Sequence, residues 1–328
     1  MGLGLSLFFG FLPMFLFAWL IYWLDRYEKE PLLLLGGVFT WGAIFAAGAA
    51  FVANTLLGYG VMVITGSENT ATLTTGSIIA PLVEESLKGL AVLAVFLVFH
   101  YEFDSIMDGI VYAAVTALGF AATENVYYIY EYGYSQNGFL GLAWMVFVRV
   151  ILVGWQHPFY TAFLGIGLAV ARLSLGWPVR LLAPLAAFAL AVATHSIHNT
   201  LASILHGLGG FVTGTLFDWS GWLLMLLFIF WAVQREQKWL AIHLREEVAL
   251  GMITPAQYLM ACSTWKRSRA RWGALLHGQF HTTSRFYQLC SELAQKKQQL
   301  LELGDEDGNL RRVQQLRQDL AQLSQRLR

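Results

Sequence analysis

Charge is scarce in this chain. Asp, Glu, Lys and Arg make up 13% of its 328 residues, about half the share of an ordinary globular protein. With 57% hydrophobic residues, that balance argues against a set of soluble domains and for a polytopic membrane protein. Cysteine is also nearly absent. Cys262 and Cys290 are too few for a disulfide framework or a cysteine metal knuckle, so reduced thiols are expected. There is no glycine-rich phosphate loop, no His-Glu-x-x-His helix and no internal repeat. The first apolar run has neither a basic n-region nor a small-residue cleavage site, so it reads as a retained span rather than a signal peptide.

What is present is a series of apolar stretches long enough to cross a bilayer. Spans are expected over about residues 3 to 24, 32 to 56, 76 to 99, 106 to 130, 138 to 171, 181 to 206 and 220 to 234. A charged loop runs from Asp25 to Pro31, a polar loop is expected over 57 to 75, and Gly42, Ala46 and Ala49 or Ala50 give the second span a small-residue face. The fold class is therefore all-α, a polytopic membrane helical bundle. The stretch 138 to 171 is longer than one crossing needs and is interrupted around Pro158, and the basic residues arbitrate its reading. Taken as one crossing, it puts Arg26, Lys29, Arg172, Arg180 and the cationic tail on one side. The loops at 57 to 75, 131 to 137 and 207 to 219, which carry no Lys or Arg, then fall on the other. That predicts about seven net crossings of the plasma membrane, with the N-terminus outside and the tail cytoplasmic.

Within these spans stand charges that burial of hydrocarbon does not require. Pro81-Leu82-Val83-Glu84-Glu85-Ser86-Leu87-Lys88 places two carboxylates and an ammonium in one apolar segment, at a cost of ~3 kcal/mol for each charge before pairing. Lys88 stands three and four residues from the two Glu, so it can lie over both on one helix face. Two adjacent carboxylates in a low dielectric do not both ionise comfortably, which leaves one to accept a proton and one to give it. The bland alternative is a buried ion pair that joins helices. On other spans lie Glu124 with Asn125, His157 before Pro158, and His195 one turn from Asn199. Helix rise puts Glu84, Glu124, His157 and His195 roughly 9 to 16 Å below the outer face. Singly, Glu124 reads equally as a snorkelling carboxylate and His157 as a core histidine. Four polar groups at one depth read as a site. His198 either joins it or faces headgroup water, and Arg149 has no assigned role.

The ordered set Glu84-Glu85-x-x-Lys88, Phe120-x-x-x-Glu124-Asn125, His157 and His195-x-x-x-Asn199 resembles the PrsW-type intramembrane proteases, distant relatives of the CAAX-protease and bacteriocin-processing membrane endopeptidases. The resemblance covers about residues 10 to 206. It departs from the wider clan at Glu124, where His is usual, and at Asn199, where many relatives carry Asp. It implies an endopeptidase that cuts membrane-anchored proteins near the outer face, an anti-sigma factor being one substrate class. Glu84 is then the expected general base, Glu85 its partner and Lys88 their counter-charge, with His195 and Asn199 steadying the oxyanion. Two mechanisms stay open: the glutamate pair alone, or a zinc ion held by Glu124, His157 and His195 with Glu84 left free. The alternative from another class is a proton-coupled transporter, for which the missing repeat is a mark against.

Of the 21 Lys and Arg, fifteen lie from Arg235 onward. The chain therefore divides into a transmembrane protease domain, 1 to 234, and a cytoplasmic cationic helical tail, 235 to 328. Phe286, Leu289, Leu293, Leu300 and Leu303, then Leu310, Val313, Leu316, Leu320, Leu323 and Leu327, keep helical spacing on either side of Gly304 to Asn309. They predict a helical hairpin or coiled coil through which chains can self-associate. Basic residues at 266, 267, 269 and 271 alternate with Trp265 and Trp272, a pattern that suits anionic lipid better than nucleic acid.

Overall fold

The computed structural model of the chain describes residues 1–25, 29–205, 207–305 and 308–327. Arg26, Tyr27 and Glu28 of the charged loop, His206 at the end of the sixth expected span, and Glu306, Asp307 and Arg328 of the tail lie outside the described residues. Among the described residues every regular element is helical and no strand occurs, so the all-α expectation holds. Helix α1 spans Gly2–Leu24; α2 (Leu32–Thr40) passes through a π turn (Trp41–Ala46) into α3 (Ala47–Thr65). Helix α4 (Glu68–Thr74) passes through a second π turn (Thr75–Ile79) into α5 (Ala80–Val98). Helix α6 (Ile106–Tyr128), a π turn (Ile129–Tyr134), α7 (Ser135–Val146), another π turn (Phe147–Leu152) and α8 (Gln156–Arg172) follow, then α9 (Trp177–Ile204) and α10 (Gly207–Ala249). The tail adds α11 (Pro255–Ala261), α12 (Thr264–Leu276), α13 (Phe280–Leu303) and α14 (Asn309–Arg326).

Among the described residues five helical runs, Gly2–Leu24, Leu32–Thr65, Ile106–Arg172, Trp177–Ile204 and Gly207–Ala249, are long and apolar enough to cross a membrane. The run that carries α5 is as long, but Glu84, Glu85 and Lys88 make it too charged to count by composition. The expected polar loops are largely helical. Only Gly66, left-handed at φ 65°, and Ser67 interrupt 57 to 75, and the Ser67 hydroxyl caps α4 by accepting from the Thr70 amide at 3.2 Å. Residues 207 to 219 likewise belong to α10. No proline interrupts either stretch, so nothing in the backbone stops the helix from continuing. Pro158 does not break the stretch 138 to 171 either. It sits in the first turn of α8, where a missing amide costs no helical hydrogen bond. The interruption is at 153–155, where Val153 leaves helical geometry at φ −122°, ψ 13°.

In the first compact unit (Met1–Leu24, Glu30–Arg172 and Pro178–Leu227), α6 is the central element. Every residue from Met107 to Ala122 is buried, as a helix apolar on all sides requires. Its start is set by a reciprocal cap between Ser105 and Asp108. Small residues let neighbours approach. A Cβ on Gly42 would stand 2.0 Å from the Thr116 carbonyl oxygen, and one on Gly109 2.2 Å from that of Gly165. Ala46 and Ala50 complete the small face against Phe120; Ala49 is exposed. Gly109 meets Gly165, Asn125 bonds Arg149, and Gly133 meets Gly141. Chain order reverses across these pairs, so 139 to 172 runs back antiparallel to 106 to 134. The outer surface is hydrocarbon, with Trp19, Leu33, Leu140 and Leu224 among its exposed side chains.

The second unit, mainly residue 228 onward, has its own core. Leu240 and Leu244 of α10 pack with Phe286, Leu289, Leu293, Val313, Leu316 and Leu320 from α13 and α14. Glu247, fully buried, accepts from Lys297 at 2.9 Å and from Arg317 at 2.7 Å, so its charge is compensated inside that core.

Candidate active site

The polar residues of the separate helices converge in the first unit. Glu84, Glu85 and Lys88 share one buried face of α5. The Lys88 ammonium, with no exposed surface, lies 2.5 Å from Glu85 Oε1 and 3.9 Å from Glu84 Oε2, and also rests 4.5 Å from the Phe120 ring. One lysine thus lies over both carboxylates, as the three-and-four spacing requires. Lys88 Nζ further donates to His157 Nδ1 at 3.1 Å.

The two glutamates are held differently. Glu85 is 1% exposed and accepts three hydrogen bonds, from Lys88, from His195 Nδ1 at 2.9 Å and from Thr161 at 2.8 Å. Glu84 receives one long contact, from Asn54 to Oε1 at 3.4 Å, and its Oε2 is buried without a hydrogen-bond partner. Across from that oxygen, at 3.8 Å, lies His195 Nε2. Since Nδ1 donates to Glu85, the Nε2 lone pair is turned toward Glu84.

His157, on the first turn of α8, contacts Glu124 Oε2 through Nε2 at 2.8 Å. The same Glu124 oxygen is ion-paired with Arg149, whose Nε bonds Asn125 Oδ1 at 3.0 Å and whose guanidinium stacks 4.3 Å from the Tyr128 ring. Asn199 donates to the Gly76 carbonyl at 2.9 Å; this carbonyl belongs to the π turn that precedes α5. Asn199 therefore ties α9 to that turn, a bond that engages its amide away from an oxyanion. His198 joins the polar network: its Nδ1 lies 2.9 Å from Asp218 Oδ1 and 3.2 Å from Gln156 Nε2.

A chamber of about 1000 Å³ opens on these groups, its wall including Glu84, Glu124, Arg149, His157, His195 and Asn199. Glu85 and Lys88 are not part of that wall. The glutamate with a free oxygen thus faces the chamber, and the satisfied glutamate stands behind it. Ligand atoms of Glu84, His157 and His195 lie within 4.8 Å of one another, the two-imidazole, one-carboxylate donor set of many zinc hydrolases. Glu124, expected as the third ligand, is not in that group; its carboxylate is engaged by Arg149 and His157.

Sequence reasoning missed Arg149, Thr161, Asn54 and Tyr160, whose ring stacks on His195 at 4.6 Å. Thr161 stands four residues after His157 and so shares its helix face, and Arg149 is an ion within a span; both signals were available. Asn54 and Tyr160 carried none.

The fold and the chamber define a multi-pass helical membrane protein with carboxylates and imidazoles gathered inside it, an arrangement suited to hydrolysis. The chain belongs to the PrsW family: residues 30–233 match the sequence model described as "PrsW family intramembrane metalloprotease". It is 28% identical over 215 residues to the Protease PrsW of Bacillus subtilis (strain 168), an alignment that takes in 65% of this chain and 85% of that one. Identity to the Protease PrsW of Geobacillus kaustophilus (strain HTA426) is 34% over 109 residues, 33% of this chain and 45% of the other. The Clostridioides difficile (strain 630) protein of the same name is 34% identical over 107 residues, 33% of this chain and 43% of the other. No solved structure matches. The chain is therefore a membrane protease, and the transporter alternative falls away. The family match ends short of the tail.

Proposed function

We propose that this protease cleaves membrane-anchored proteins within the bilayer, near its outer face, by activating water at Glu84. The observation that carries the reading is the buried Glu84 Oε2 on the chamber wall, which has no hydrogen bond, stands 3.9 Å from Lys88 and lies opposite His195 Nε2. A buried carboxylate oxygen without a donor is costly unless something is bound there in the working state. Glu84, His157 and His195 would hold a zinc ion, and that ion when bound supplies Lewis acidity and a water acidic enough to attack at neutral pH. For His195 the fit is direct, with Nε2 facing the Glu84 oxygen and Glu85 behind Nδ1; His157, with Glu124 behind Nε2, would ligate through Nδ1 once Lys88 gives that nitrogen up.

The remaining residues position these. Glu85 fixes the tautomer and plane of His195, Lys88 balances the charge of Glu85, and Thr161 occupies its second oxygen. Arg149 holds Glu124 against His157. Asn199 keeps α9, and with it His195, against the turn that leads into α5. One observation favours the glutamate-only reading: Lys88 Nζ lies 3.1 Å from His157 Nδ1, where its charge opposes a cation. In that case Glu84 takes a proton from the attacking water and returns it to the departing amine.

The substrate class we infer is a single-span anchored protein cut on its outer side, an anti-sigma factor being the case the family suggests. The topology we infer has seven crossings of the plasma membrane, the N-terminus outside, a protease domain over 1 to 234 and a cytoplasmic tail over 235 to 328. The basic-residue bias and the antiparallel return of 139 to 172 support it. Self-association through the tail would have to use residues outside its core, such as the exposed Leu301 and Leu310. The test is cleavage of a co-reconstituted single-span substrate in liposomes, lost in Glu84→Gln. Substrate left intact by the unmodified protein, with carboxylate-dependent solute flux in its place, would overturn the proposal.

A further inference from the structure

We propose that α12 docks the tail unit on an anionic lipid surface. The helix has two unlike faces. Arg267 is buried, with Nη1 3.2 Å from Ser291 Oγ, and Arg271 lies 5.9 Å from the Tyr287 ring, so this side packs on α13. The other side carries Trp265, Arg269, Trp272 and Leu276 at steps of four, three and four residues, one helical stripe. Trp265 is 79% exposed, Trp272 71% and Leu276 85%, with Lys266 and Arg269 exposed beside them. Two tryptophans and a leucine held in water gain nothing for the unit's own core, and this unit is small enough that such residues would be buried if packing could use them.

The charge on this side identifies the occupant. Lys266 and Arg269 are its exposed ions, and no Asp or Glu occurs from residue 248 to residue 291. A second copy of the same face would bring cation against cation, and a single stripe of this length is well short of the roughly 1,000 Å² a specific protein interface buries. Trp rings at the headgroup level with Arg and Lys reaching phosphate is the pattern of a helix that lies in a membrane interface. The unit is also joined by chain continuity to the apolar part of α10, so a bilayer is always at hand and even weak attraction suffices to hold the face down.

Full-length chain in which Cys262→Ala leaves only the buried Cys290 would receive Ser268→Cys, half-exposed beside the stripe, or Gln315→Cys, exposed on α14, each labelled with an environment-sensitive fluorophore. Proteoliposomes of phosphatidylcholine alone, or of phosphatidylcholine with phosphatidylglycerol, would contain brominated lipid as a quencher; both leaflets are alike, so insertion direction is immaterial. The expected result is quenching at 268 and not at 315, strong with phosphatidylglycerol and weak without it. Lys266→Gln and Arg269→Gln should each lower the docked-to-free ratio about fivefold, and Trp265→Ser with Trp272→Ser should abolish docking. Equal water exposure at 268 and 315 in both vesicles would overturn the proposal. So would shielding at 268 that is indifferent to phosphatidylglycerol and grows with protein density, which would mark a second copy instead.

Discussion

Glu84→Gln and Glu85→Gln are adjacent and chemically identical changes, yet the structure assigns them opposite consequences. Glu84 Oε2 has no hydrogen bond to lose, Oε1 keeps its carbonyl acceptor for Asn54, and the Lys88 pair given up spans 3.9 Å. Removing this charge also relieves repulsion from Glu85, so stability should change by less than about 1 kcal/mol. Catalysis should fall at least about 10²- to 10⁴-fold, the usual contribution of a general base, and further if the carboxylate is also a ligand. Glu85 differs because it holds three donors, at 2.5, 2.9 and 2.8 Å. An amide there turns an NH₂ toward at least one of them and leaves buried Lys88 without its close counter-charge. Breaking a buried pair from one side costs about 3–5 kcal/mol. Unfolding in mixed micelles by a titrated denaturing detergent reports relative stability, and cleavage in liposomes reports activity. A Glu84→Gln protein that is inactive because it is unfolded, or a Glu85→Gln protein as stable as the original, would refute this division of labour.

Three further outcomes are expected. Zinc content after dialysis should disappear in His157→Ala and His195→Ala, whereas Glu124→Gln, which alters a supporting carboxylate, should weaken affinity about 10–100-fold without abolishing it; full activity in a metal-free preparation would leave the glutamates as the whole engine. Burial pushes the Cys290 thiol well above its ordinary range, so little thiolate forms at pH 8. A membrane-impermeant maleimide should therefore leave Cys290 unlabelled in the folded protein and reach half-buried Cys262 only in permeabilised cells; labelling of Cys262 in intact cells would put the tail outside. Gly109→Val should destabilise by about 1–3 kcal/mol or more, because its Cβ falls 2.2 Å from the Gly165 carbonyl oxygen and α6 and α8 must separate; unchanged detergent resistance would contradict that packing.

The division between sequence and tertiary structure follows from the range of the forces involved. Hydropathy, charge scarcity and helical spacing act within a turn or two. They sufficed for the helical class, the starts of α1, α6 and α9 within a few residues, the shared face of Glu84, Glu85 and Lys88, and the list of polar groups that the structure brings together. Residues 57 to 75 and 207 to 219 read as loops yet fold largely as helix, since polar side chains such as Thr and Ser are tolerated in a helix and no proline interrupts it. What each polar residue does depends on partners tens of residues away. Glu84 and Glu85 are equivalent as letters. Only the arrival of His195 from α9 and Thr161 from α8 at one of them, and of a chamber at the other, makes them different. In the same way Glu124 reads as a ligand by its depth and residue type, but Arg149, brought back alongside α6 by the antiparallel return, takes its carboxylate, and the third place among the clustered donor atoms goes to Glu84.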